Sequence, residues 1–363
     1  ICKLLIIASG LMLSLPALPQ AQNQRLRPVQ VSFVPYFGTN GFKTDSFVNV
    51  VSINILAGSV YDVRAVELGS LVNIVRHESR GVQVAGLVNE ARTAKGLQVA
   101  GLVNQAGGGN AGQVAGLVNH AQDSAGFQLS GLVNHAPQVE TFQIAGLVNN
   151  SNQTKTLQVA GLVNQTSGET GIQVSGLVNH AGYVKYLQLG VVNIADSAAG
   201  VPIGVFNFIK GGYHQLELSA NEMFYANVAY RSGIRQLHTI VTAGIDFTNL
   251  TFPLWTYGSG LGTTIPISRK AAIDMDVLFQ NVIKGGYVHN NYLYKFDLGI
   301  NWQILPARSV YIGISYNFLT TDLRQPHYAD YYSDIAPYTL QHRTILNNNL
   351  SEWVGFKAAL RFF

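Results

Sequence analysis

Carboxamide side chains recur along the middle of this chain at intervals that put them in register. Gln83, Gln98, Gln113, Gln128, Gln143, Gln158, Gln173 and Gln188 step by fifteen residues, as do Asn89, Asn104, Asn119, Asn134, Asn149, Asn164 and Asn179. Asn73 lies sixteen residues before Asn89, and Asn193 and Asn207 follow at steps of fourteen. An amide donates and accepts, so identical amides stacked about 4.8 Å apart can bond end to end, whereas a column of like charges would repel. The pattern reads as structural ladders, with a ligand-binding polar stripe as the alternative. His120, His135 and His180 follow ladder asparagines and could align as a weak metal stripe. Glu90, Gln105, Asn150 and Gln165 hold the same place in other copies, which reads instead as a variable surface position. For acid–base chemistry the candidates are the scattered His214, Glu217, His238 and Asp246, and no GxSxG, HExxH or paired-carboxylate spacing joins them. No catalytic, cofactor-binding or metal-ligating residue is assigned, and a non-enzymatic role is expected.

The amides belong to seven near-copies of one phrase, exemplified by LQVAGLVN at Leu97–Asn104. Helical repeats need roughly 33–47 residues, so a fifteen-residue unit fits one coil of a parallel β-solenoid, whose strands pair with those above and below. Eight to ten coils would make a rod roughly 40 Å long. Within the phrase, Leu97, Val99 and Val103 share one face of an extended segment and Gln98, Ala100 and Asn104 the other. The apolar face is expected inward and the amide face outward. Glycine inside a strand marks a bend or a close backbone approach, so corners are expected at Gly86, Gly101, Gly116, Gly131, Gly146, Gly161 and Gly176, turning Leu102 inward as well. Charges fall only between the phrases, at Glu90, Arg92, Lys95, Asp123, Glu140, Lys155 and Glu169.

From residue 213 the period becomes two. Tyr294, Phe296, Leu298, Ile300, Trp302 and Ile304 alternate with Lys295, Asp297, Gly299, Asn301 and Gln303, and residues 310–318 repeat the pattern. An apolar face about ten residues long suits a tilted strand crossing a bilayer. Eight such segments lie between 213 and 363, with aromatic residues near their ends: Tyr230, Trp255, Tyr257, Tyr292, Trp302, Tyr316, Trp353 and Phe362. The opposite face carries Arg231, Asp246, Asp274, Asp276, Lys295, Asp297, Lys357 and Arg361, expected in the barrel lumen. An interior of eight to ten strands is wide enough only for side chains, so these groups are expected to pair as a plug; a water-filled pore is the alternative. The fold expected is all-β: a solenoid over 65–210 joined to an antiparallel outer-membrane barrel of 8–10 strands over 213–363. Candidate strands at Val29–Tyr36 and Phe47–Leu56, within 28–60, are assigned to the barrel. Counting both gives ten strands and periplasmic repeats; moving one to the solenoid reverses the side, so the side stays open.

Of the 363 residues, 47% are apolar and 12% charged, and Cys2 is the only cysteine. An apolar run over 4–15, following Lys3 and leading to a small-residue site near Ala21, reads as a signal peptide over 1–21. The net charge of +4 comes without a Lys/Arg cluster, so no nucleic-acid partner is expected. The connection from Asp322 to Asn349 holds His327, Asp330, Asp334 and His342 without metal-ligand spacing and several tyrosines, and reads as a surface loop.

The GLVN phrases, followed by IGVFNFIKGGYHQLELSANE at 203–222, resemble the surface-repeat-containing outer-membrane proteins of several Gram-negative lineages. The resemblance covers about 65–235 well. It implies export to the outer membrane or cell surface and transfers no catalytic residue. The VAG phrases also resemble the coils of trimeric adhesin heads, though here one chain supplies a whole barrel. The aromatic ending WVGFKAALRFF resembles the terminal strand of outer-membrane barrels, with its apolar residues one position out of phase. The expected role is a barrel anchor presenting the solenoid for adhesion or complex assembly. The alternative is a transport component with the solenoid as plug or gate. Expected partners are outer-membrane lipid and, at the solenoid face, a glycan or a protein; no cofactor is expected.

Overall fold

A computed structural model describes residues 25–248, 253–284, 291–322, 335–345 and 348–363. The expected signal peptide and His327, Asp330 and Asp334 lie outside the described residues.

The repeats form a parallel β-solenoid of about eleven coils, and the last third closes into an eight-stranded antiparallel barrel. Fifteen residues suffice for a coil because the phrase supplies two short strands around one corner. Leu97–Ala100 and Val103–Gly109 flank the bend at Gly101 and Leu102, and each strand pairs in parallel with its counterparts one coil away. Equal spacing makes like residues neighbours: Gln98, Gln113 and Gln128 pair in sequence, as do Asn104, Asn119 and Asn134. Ile55 and Ser70 hold the corner in the first coils, and glycine holds it from Gly86 onward. A Cβ on Gly101 would sit 2.0 Å from the carbonyl oxygen of Gly86, and the same clash recurs up the stack.

The faces of the coil are the reverse of the expectation. Ladder asparagines from Asn73 to Asn207 are fully buried, Gln98 and its equivalents are at most 1% exposed, and Ala91, Ala106 and Ala121 line the same interior. Leu102, expected inside, is 39% exposed, and its equivalents form an outward column. Alternation defines two faces without saying which is inner. In each phrase the narrow lumen takes alanine and flat amides that bond along the axis while the leucines and valines of the phrase point out; elsewhere in the coils Val60, Val63, Val75, Val139 and Val184 pack inside with the alanines.

The amino-terminal strands also depart from expectation. Arg25–Val34 and Phe47–Asn54 pair in parallel with each other, and the latter pairs in parallel with Ala57–Gly69, so both are solenoid coils and neither enters the barrel. Their alternation continues the solenoid's columns: Gln30, Ser32, Ser52 and Asn54 point inward and Val29, Val31 and Ile53 outward. An antiparallel two-residue strand, Phe37–Gly38, pairs with part of the open edge of the first coil.

The barrel strands are β1 (Tyr213–Asn221), β2 (Ala226–Gly233), β3 (His238–Asp246), β4 (Leu254–Pro266), β5 (Ala271–Lys284), β6 (Asn291–Leu305), β7 (Arg308–Asp322) and β8 (Asn348–Phe362). Each pairs with its neighbour, and β1 pairs with β8 to close the ring. A short strand, Gln341–Ile345, adds onto β8 in the last connection. Connections 234–237, 267–270 and 306–307 lie at the end where the solenoid joins and the chain finishes. The β1–β2 connection, 222–225, lies at the other end, where β3, β5 and β7 finish and β4, β6 and β8 begin.

Candidate functional site

Three features carry the molecule's polar chemistry: the amide ladders, the barrel interior and the joint between solenoid and barrel.

In the asparagine ladder each Nδ2 donates to the Oδ1 of the next coil, from Asn54 through Asn73 to Asn207, at 2.8–3.0 Å. Its second hydrogen reaches a backbone carbonyl of that next coil, as Asn104 reaches Val114 at 2.7 Å. The glutamine ladder runs the opposite way. Gln188 donates to Gln173, and so on down to Gln83, at 2.7–2.9 Å. The two ladders therefore align their amide dipoles in opposition. The glutamine ladder ends on a carboxyl group: Gln83 donates to Glu67 at 2.8 Å, and Asn54 donates to the other oxygen at 3.0 Å. Burial pushes Glu67 up to about 7 despite these two donors, which favour the ionised form. Because the amides are satisfied internally, the solenoid presents no amide-rich outer face.

The sequence-assigned histidines do not assemble. His120 and His135 stack at 5.0 Å between ring centroids, but Asn150 and Gln165 stand between His135 and His180 in the column. Burial first, and for His120 the neighbouring His135 second, lower the basicity of both rings. Among the described residues no cluster of three His, Cys, Asp or Glu side chains has the geometry to hold a metal.

Inside the barrel the expected lumen residues meet, with one exception. Arg231 on β2 holds Asp276 on β5 through two bonds of 2.9 and 2.5 Å and reaches Glu217 on β1 at 3.0 Å. Arg361 on β8 donates to Glu217 at 2.8 Å and pairs with Asp274, while Lys357 bridges Glu217 at 2.8 Å and Asp297 at 3.1 Å. Lys295 is buried in the same interior. Four carboxylates, Glu217, Asp274, Asp276 and Asp297, thus share the interior with four cations, Arg231, Lys295, Lys357 and Arg361. β4 makes room for the Arg231–Asp276 pair with a glycine: a Cβ on Gly262 would come within 2.3 Å of Asp276 and 2.5 Å of His238. Toward the longer connections, Met223, Phe224, Val282, Leu293, Leu319, Ile335 and Trp353 form an apolar cluster that fills the remaining space. Glu222 reaches in from the β1–β2 connection to accept from the Trp353 indole at 2.8 Å and from Asn317 at 3.0 Å.

Asp246 is the exception: at the end of β3 it caps Thr248 at the rim, 2.9 Å from the Thr248 amide, because the strand stops there. Trp353, expected in an aromatic girdle, is fully buried inside, one residue out of phase with the outward Val354 and Phe356. Glu217 and His238 stand in the ion cluster, away from His214 and Asp246, so the scattered acid–base candidates do not form one site. Parity put Tyr311 on the polar face, and it is fully buried inside; Glu217 and Glu222 were not expected as interior groups. The signal for Glu217 was the same strand parity, since it is in register with Arg361.

At the joint, the last coil rests on the outside of the barrel. Asn207 Nδ2 donates to Thr239 Oγ1 at 2.8 Å, and the Asn207 backbone N–H donates to Ser232 Oγ at 3.1 Å. Ser232 and Thr239 alternate with the inward Arg231 and His238, so both point outward. Comparison with models of protein families, with curated proteins and with solved structures returns no match.

Proposed function

We propose that the chain is a non-enzymatic outer-membrane protein in which the barrel is a filled anchor and the solenoid a scaffold for complex assembly on the periplasmic side. The observation that carries this reading is the joint: the solenoid leaves the barrel at the end where the strands are linked by two to four residues, against four to 25 at the other end. Bacterial outer-membrane barrels have even strand numbers, short periplasmic turns and longer outer loops. Outward apolar residues such as Val277, Phe296, Ile312 and Phe356, each more than 40% exposed, support lipid contact, as do Trp255 and Trp302 near strand ends. The sequence resemblance to outer-membrane repeat proteins points the same way.

Adhesion at the cell surface fits less well, because this polarity puts the repeats on the inner side. A plug or gate role also loses support, since the last coil meets the outer wall and the lumen is occupied by the barrel's own side chains. A protein or glycan partner is expected on the return segments that carry Glu90, Arg92, Asp123, Glu140 and Lys155. Protease sites inserted beside Gly108 and after Ala336 test the arrangement in intact cells. The site at 336 is expected to be cut from outside, and the site at 108 only after the outer membrane is permeabilised. Cleavage at 108 in intact cells would refute the sidedness.

A further inference from the structure

We propose that the solenoid lies along the membrane and buries its apolar face in the acyl chains of the leaflet next to the barrel's short-turn end. This rests on the reading of the barrel as lipid-embedded.

Three observations carry it. The first is the surface itself. One outward column runs without a polar residue from Val31 through Ile53, Leu68 and Val84 to Leu189 and Ile203. Beside it stands the corner leucine column, where Leu87 to Leu162 are 37–40% exposed. At about 4.8 Å per coil these columns extend for roughly 50 Å, and at about 10 Å in width they make one strip on the order of 500 Å². A typical soluble monomer's largest apolar patch is about 300–600 Å², and such patches mark contact surfaces. Charged residues such as Asp123, Glu140 and Lys155 are confined to the return segments, so the coil is amphipathic along its whole length.

The second observation is continuity. At the joint, Leu189, Val191, Ile203 and Val205 of the last coils line one groove with Val241 and Leu261 of the barrel's outer wall. Leu261 is in register with Val277, and Val277 with Phe296, so the solenoid's apolar columns run directly into the outward apolar rows.

The third is position. The wall under the joint is short: β1, β2 and β3 have 9, 8 and 9 residues, against 13 to 15 in the other strands. The last coil covers Ser232 and Thr239 on its outward face, so it occupies the shell that lipid fills elsewhere around a barrel. A second copy of the chain would also cover an apolar strip. It would not explain why the strip merges with the barrel's outer rows.

The test uses the full chain on a Cys2→Ala background, in vesicles of phosphatidylethanolamine and phosphatidylglycerol containing acyl-brominated lipid. A polarity-sensitive fluorophore is attached at Leu117→Cys, Leu147→Cys, Lys155→Cys or Ile312→Cys, all at side chains open to the surroundings. Quenching by brominated lipid at 117 and 147 is expected within about twofold of that at 312. Position 155 is expected to be quenched by aqueous iodide instead. Iodide quenching at 117 and 147, with lipid quenching kept at 312, overturns the proposal while leaving the barrel reading intact. Shielding of 117 and 147 from both quenchers also overturns it and assigns the strip to a protein partner. Absence of lipid quenching at 312 overturns the barrel reading and the proposal together.

Discussion

Asn134 accepts from Asn119 at 3.0 Å and donates to Asn149 at 3.0 Å and to the Ile144 carbonyl at 2.7 Å, all in full burial. Replacing it with leucine, of similar size, strands a donor on one side and two acceptors on the other, each worth about 1–3 kcal/mol. Asn134→Leu is expected to destabilise the neighbouring coils by about 2–4 kcal/mol, measured by hydrogen exchange in detergent. The adjacent outward change Leu132→Ala, which strands no polar group, should cost under about 1 kcal/mol. The usual ranking of core and surface substitutions is thereby inverted, and equal costs at the two sites would contradict the amide interior. Glu67 supplies a pH test. Its carboxyl titrates near 7 when folded and near 4.5 when unfolded, so between these values the folded chain holds the extra proton. Stability must fall as pH rises through that window and level off above it, by about 3 kcal/mol in all. Glu67→Gln has no proton to lose, so its unfolding curve for the first coils should lack this slope between pH 4.5 and 7.5. A slope unchanged in the variant would acquit Glu67.

At the scale of the element, a coil is a unit of fifteen residues held only by the coils on either side, so stability should behave as a sum over neighbours. Excising residues 120–134 joins Asn119 to His135 and keeps every column in phase. That deletion is expected to fold, with a modest loss of melting temperature. Excising 120–127 should misfold, because it places the amides of one coil against the apolar column of the next. Gly131→Ala is expected to cost about 1–3 kcal/mol, since its Cβ would lie 2.2 Å from the Gly116 carbonyl oxygen. Period, corner and ladder were all readable in the sequence because identical residues at a fixed step can only be neighbours in a stack. Facing was not, because the alternation of Leu97, Val99 and Gln98 is symmetric between inside and outside. The same symmetry misassigned residues 25–54. Alternating strands look alike whether they pair in parallel within a solenoid or antiparallel in a barrel, and only the partner, invisible in linear order, separates the two.

For the whole molecule, the eight strands and most of the interior residues followed from parity, yet the pairing of charges did not. Glu217 meets Arg361 across 144 residues of chain because β1 and β8 close the ring, and no local pattern announces a closure. That closure decides whether the barrel conducts. An eight-stranded barrel has an interior only wide enough for side chains. Here Arg231, Arg361 and Lys357 bind Glu217 across it, and Trp353 and Phe224 fill the end toward the longer connections. Purified full-length protein in a planar bilayer is therefore expected to show no unitary conductance at either polarity. Asp276→Ala removes the two-bond partner of Arg231 and leaves a buried cation short of charge, a change that costs about 3–5 kcal/mol. The variant should melt lower and still not conduct, because the apolar cluster lies on different residues of the path. Discrete current steps in the unmodified protein would mean that the ion cluster opens to water, and the anchor would then have to be treated as a channel.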